Sequence, residues 1–153
     1  MFIKQPRRQC AGQEFTAHCP GNRETEDVTP RVRIIEMKRD QRGINAASKP
    51  SGNGCMECLA SPEGWWFHLR RCAECGHIGC CDSSPSQHAS RHAAETGHPV
   101  IASFEPGEDW FYDYEKQAMI EGVGLLPPHA HSRNQPAPGP AGRVPANWES
   151  LLN

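Results

Sequence analysis

The sequence predicts a small domain stapled by cysteine and histidine side chains, carried between two flexible tails. Three observations predict it. Leu, Ile, Val and Phe together make 23 of the 153 residues, about 15%, below the roughly 20% that marks chains able to build an apolar core unaided. Six of the eight Cys and five of the eight His fall within residues 55–115. Pro127, Pro128, Pro136, Pro138, Pro140 and Pro145 crowd the C-terminal part, where proline fixes φ and removes backbone donors.

Charge divides the chain in the same places. Residues 1–54 carry 10 Lys/Arg and 6 Asp/Glu, residues 55–115 carry 3 and 10, and residues 116–153 carry 3 and 2. A central segment at net −7, in a chain at −2, opposes contact with phosphate backbones. No apolar run approaches the roughly 18 residues needed to span a bilayer, and the first residues lack the apolar stretch of a secretion signal. The expectation is a cytoplasmic protein that contacts no membrane.

Residues 1–50 read as a flexible leader. Arg31–Glu36 alternates well enough for one strand, and Lys49–Gly54 has the composition of a turn. Cys10 and Cys19, with His18 between them, lack CxxC spacing and read as free thiols; Met37 offers an alternative start. Residues 51–118 form the expected domain, and residues 119–153 a Pro-rich flexible tail ending in the apolar trio Trp148, Leu151 and Leu152. Both flanks offer little apolar surface to bury, so both are expected to be dispensable for the fold.

Within the central segment the reactive residues run Cys55-x2-Cys58, Cys72-x2-Cys75, Cys80, His88-x3-His92 and His98. A CxxC turn brings two thiolates to one ion about 2.3 Å from each sulfur, and two such pairs in succession have zinc spacing. Disulfides rarely persist in a reducing compartment, and a redox CxxC would follow a strand in a βαβ pattern that is missing here. Ser84–Gly97 reads as a helix, with Ser83 or Ser84 as cap, Pro85 in the first turn and Gly97 as the stop. His88 and His92 then project from one face. Eight ligands complete two closed tetrahedral sites and leave no open position for catalysis, so zinc is expected as a structural staple.

The run Cys72-Ala-Glu-Cys75-Gly-His77-Ile-Gly-Cys80, followed by His88-Ala-x2-His92 and Glu95-Thr-Gly-His98-Pro99, resembles the UBP-type zinc finger, the ubiquitin-binding module of ubiquitin-specific proteases. Trp66-x-His68-Leu-Arg70, Cys81-Asp82-Ser-Ser-Pro85 and Glu105-Pro-Gly-Glu-Asp-Trp110 are most similar to its stand-alone bacterial members. The resemblance implies an α+β fold, a small twisted antiparallel sheet flanked by one or two helices, with Val100–Phe104 and Trp110–Tyr114 as later strands. It implies two zinc ions, one held by Cys55, Cys58, Cys80 and His88, the other by Cys72, Cys75, His92 and His98. His77 and Cys81 are the neighbours most easily confused with ligands.

The resemblance also implies a pocket for a free C-terminal tail such as that of ubiquitin, lined here by Trp66, Arg70, Asp82, Trp110, Tyr112 and Tyr114. The family's tail-holding Arg is replaced by Asp82, which repels a carboxylate when ionised; Arg70 or Arg71 would have to serve instead. The aromatic residues have a plainer reading as core. The function expected is a non-catalytic interaction module. The alternatives are a nucleic-acid-binding zinc ribbon and a hydrolase using Cys81 with His77 as its base.

Overall fold

The structure is a computed structural model that describes residues 42–153. The strand expected at Arg31–Glu36, together with Cys10, His18, Cys19 and Met37, lies outside the described residues. Helix α1 spans Met56–Ala60, β1 Leu69–Cys72, β2 Ile78–Cys80, α2 His88–Thr96, β3 Val100–Ser103, β4 Phe111–Asp113 and β5 Ala118–Ile120, and one 3-10 turn covers Trp148–Leu151. The fold is α+β. Its sheet is antiparallel throughout, in the order β2-β1-β3-β4-β5.

Strand alternation decides what each face of the sheet becomes. Arg71 pairs with Ala102, Ala102 with Phe111 and Phe111 with Ile120, so these side chains share one face. Val100 lies on the same face, and Ile44, Ala73 and Leu125 complete an apolar cluster with it. Arg70, Ile101, Tyr112 and Met119 fall on the opposite face. A second cluster gathers Trp66, Leu69, Ile78 and Phe104 around Cys55, Cys58 and Cys80. Neither cluster is large, in keeping with the sparse aliphatic content.

Helix α2 begins four residues later than the capping pattern suggests. Ser84 is fully buried, and its hydroxyl accepts the Phe67 N–H at 2.9 Å and meets Cys81 Sγ at 3.3 Å, so it ties the hairpin down instead of capping. The helix opens after Gln87, in the left-handed region at φ 49°, and closes at Gly97, φ 71°. It lies against β2 through Gly79, where a Cβ would come within 2.7 Å of the Ala89 nitrogen.

Residues 119–153 do not behave as the flexible tail their prolines suggest. They form a strap that returns across the domain and belongs with residues 42–118 to one compact unit. Trp66 and Gly139 exchange backbone hydrogen bonds at 2.7 and 2.9 Å. The Arg143 guanidinium donates to the carbonyls of Cys58 and Ser61 at 3.0 and 2.7 Å, and Gln135 Nε2 donates to the Asn53 carbonyl. His131 is buried against Glu105, Nε2 to Oε2 2.8 Å, while Glu105 Oε1 accepts the Leu69 N–H. Even the terminal patch is engaged: Trp148 lies 5.3 Å from the Phe67 ring, and the Asn153 N–H reaches the Ser83 carbonyl. Proline removes backbone donors, but the non-proline residues between supply enough: Arg143, Gln135 and the N–H groups of Leu126, His131 and Asn153 donate to carbonyls of the domain, and the carbonyls of Leu126 and Pro128 accept from Arg71.

Residues 42–50 are also part of the folded unit. Ile44 is 2% exposed, Leu126 N–H bonds the Ala46 carbonyl, and Ser51 N–H bonds the Gly76 carbonyl. The folded unit therefore extends beyond 51–118 at both ends.

Candidate metal centres and the adjoining cavity

Two turns and one helix assemble the metal ligands. Cys55 immediately precedes α1 and Cys58 lies within it, Cys80 ends β2, and His88 opens α2. Their four ligand atoms lie within 4.8 Å of one another, as do those of Cys72, Cys75, His92 and His98. His88 Nδ1 is 3.2, 3.4 and 3.4 Å from the sulfurs of Cys55, Cys58 and Cys80. In the second group, Cys75 Sγ lies 3.3 Å from His92 Nε2, and Cys72 Sγ 3.8 Å from His98 Nδ1. Zinc bonds of about 2.3 Å to sulfur and 2.0 Å to nitrogen at tetrahedral angles place sulfur and nitrogen roughly 3.5 Å apart. The spacing fits.

The donor chemistry fits as well. All six described cysteines are free thiols. Hydrogen bonds from Cys55 and Cys58 pull Cys80 down to about 2, those with Cys58 and Cys80 push the Cys55 thiol up, and the bond from Cys72 brings Cys75 down to about 4. Each group thus gathers its thiols around one thiolate, the state a dication stabilises. The first amide of α2 adds a donor, His88 N–H to Cys80 Sγ at 3.3 Å. Glu74 Oε1 stands 3.5 Å from His98 Nε2, behind the ring, where a carboxylate orients a ligating imidazole. The first group is buried except for the half-buried His88; in the second Cys75 is exposed. Each can hold one zinc ion.

Residues 55–124 match the family described as "Zn-finger in ubiquitin-hydrolases and other protein". These residues are a UBP-type zinc finger of this family. The chain is similar to a protein of Rhodopseudomonas palustris solved by NMR in solution, at 44% identity over 60% of this chain and 85% of that one, with a TM-score of 0.44. A comparison with curated proteins returned no match. Among the described residues, no helix is long and apolar enough to cross a membrane.

The UBP-type finger carries a cavity of about 240 Å³ on the second sheet face, lined by Arg70, Cys81, Asp82, Trp110, Tyr112 and Tyr114 with Ser83, Ile101 and Met119. Arg70 lies over the Trp110 ring at 4.6 Å, and Trp110 Nε1 donates to Glu108 at 2.9 Å. Tyr112 and Tyr114 meet edge to face. Burial pushes the Tyr114 phenol up, and the Asp82 carboxylate hydrogen-bonded to it pushes it further.

Trp66 is not part of this cavity. It is 2% exposed and packs in the metal-side cluster under Gly139, because its backbone pairs with the strap. Arg71 is not available either. It points to the opposite face, 1% exposed, and donates to the carbonyls of Leu126, Pro128 and Ser48.

His77 does not stand beside Cys81. Its Nε2 meets Glu57 Oε1 at 2.8 Å and its ring stacks on His92 at 4.3 Å. The partner of Cys81 is His68. Burial pushes the Cys81 thiol up, but hydrogen bonds from His68 and Ser84 outweigh it and bring it to about 7. The signal for this pair lies in the hairpin register: Leu69 faces Cys80, so one residue further His68 falls opposite Cys81, whose N–H bonds the His68 carbonyl at 2.9 Å.

Proposed function

We propose that this protein is a non-catalytic interaction module that receives the free C-terminal tail of a partner protein in the cavity beside its metal centres. The observation that carries this reading is Arg70. With Asp82 at the position where the family has its tail-holding arginine, a carboxylate needs another donor. Strand register puts Arg70 into the aromatic-walled cavity while Arg71 is spent on the strap. A guanidinium held over an indole is a preorganised fork for a carboxylate. Two closed ligand sets support the absence of metal catalysis.

Ubiquitin is the natural first ligand to test, and weak binding is expected because Asp82 opposes the incoming carboxylate. Titrating zinc-loaded protein with intact ubiquitin and with ubiquitin lacking its last two residues should show weak binding to the first only. Arg70→Gln should abolish it, and Asp82→Arg should strengthen it. Equal binding of both ubiquitins, or an unchanged affinity in Arg70→Gln, would refute the reading.

A further inference from the structure

Resting on the tail reading above, we infer that the cavity selects tails whose last residue carries a positive charge, and that Asp82 is the residue that selects them. Arg70 and Asp82 line the same space, yet among the described residues no ion pair joins them or ties either to another charged side chain. Arg70 is occupied by the Trp110 ring and by the neighbouring Leu69 carbonyl, to which Nη1 donates at 2.9 Å. Asp82 is met by the neutral Tyr114 phenol, and its backbone carbonyl is held by Gln87 Nε2 at 2.9 Å. One cavity therefore offers a cation and an anion that, among the described residues, no opposite charge pairs.

A ligand that answers both carries both charges. A bare Gly-Gly carboxylate would satisfy Arg70 and leave Asp82 facing a like charge. A C-terminal lysine places its carboxylate at Arg70 and its ammonium beside Asp82. Its four-carbon stem can run along Ile101 and Met119, and Trp110, Tyr112 and Tyr114 present ring faces and edges of the kind that attract a cation. The volume, about 240 Å³, is below the roughly 300 Å³ at which small-molecule sites begin. It suits one terminal residue rather than a larger ligand.

Four peptides of one sequence test this by calorimetry on the zinc-loaded full chain: ends in Gly-Gly, Gly-norleucine and Gly-Lys, and Gly-Lys amidated. The lysine peptide should bind better than the norleucine peptide by roughly three- to tenfold, the scale of one exposed ion pair with one cation–π contact. Asp82→Asn, at an exposed position, should erase that ratio while leaving zinc content unchanged, and amidation should weaken binding by the unmodified protein. Equal affinities for lysine and norleucine, or a ratio that survives Asp82→Asn, would overturn the charge selection alone. Insensitivity to amidation would overturn the tail reading on which it rests, and no binding of any peptide at millimolar concentration would overturn both.

Discussion

Arg71→Met is the substitution that most sharply tests the role of the strap. The guanidinium is 1% exposed and donates to three carbonyls, two of them on the strap. Hydrogen bonds to a charged donor contribute about 1.5–3 kcal/mol each, so three set an upper bound near 9 kcal/mol. Most of that is offset by the cost of burying the cation, which the shorter, apolar methionine does not incur. What remains is the loss at three carbonyls left without a donor, about 1 kcal/mol each: Leu126 and Pro128 on the strap, and Ser48. A net destabilisation of about 3 kcal/mol is expected. Chemical denaturation of zinc-loaded protein measures it, and amide exchange at His131, whose N–H bonds the Phe104 carbonyl, reports whether the strap has lifted. In a chain ending at Gly124 two of the three acceptors are gone, and the same substitution should cost only about 1 kcal/mol, a coupling a double-mutant cycle resolves. A cost below about 0.5 kcal/mol, or the same cost with and without the strap, would refute the clamp.

Trp66→Ala should destabilise the domain by about 3–5 kcal/mol, seen as a lowered denaturation midpoint, and leave peptide affinity of the folded fraction unchanged, since Trp66 lies outside the cavity. Gly79→Ala should cost about 1–3 kcal/mol through overpacking, because the added methyl would meet the α2 backbone 2.7 Å away; thermal unfolding would show it. Ile44→Ala, 11 residues before the family match begins, should cost about 2–5 kcal/mol, as expected of a core residue and not of a flexible leader.

What could be read from the sequence was local. The CxxC turns and the i,i+4 pair His88 and His92 announce ligands because their spacing alone sets a bite. Assigning Cys80 to Cys55, 25 residues away, took the family resemblance, and the structure groups the eight ligands in the same two sets. Arg70 and Arg71 are adjacent and chemically identical, so only strand register tells the cavity residue from the clamp. Trp66 fell on the wrong side of the same division, being drawn into the core by its pairing with Gly139. The strap escaped notice because proline and glycine content measures what a segment donates and how freely it turns. The anchors are single side chains elsewhere, Arg71 and Glu105, or isolated ones within it, His131 and Arg143. Ser84 shows the same limit on a smaller scale: as a cap it fits the pattern, but a buried donor on Phe67 claims its hydroxyl.

Both sides of the cavity hang on the hairpin that the two ligand groups pin, Arg70 on β1 and Asp82 just beyond β2, so one zinc in each group is the claim on which the rest depends. Native mass spectrometry of the full chain, unmodified and as the His88→Ala and Cys75→Ser variants, tests it most directly. The expected result is two zinc ions in the unmodified protein, and in each variant either one ion or an unfolded chain that holds none, because metal binding and folding are coupled. One or three ions in the unmodified chain, or two in a folded variant, would contradict the account.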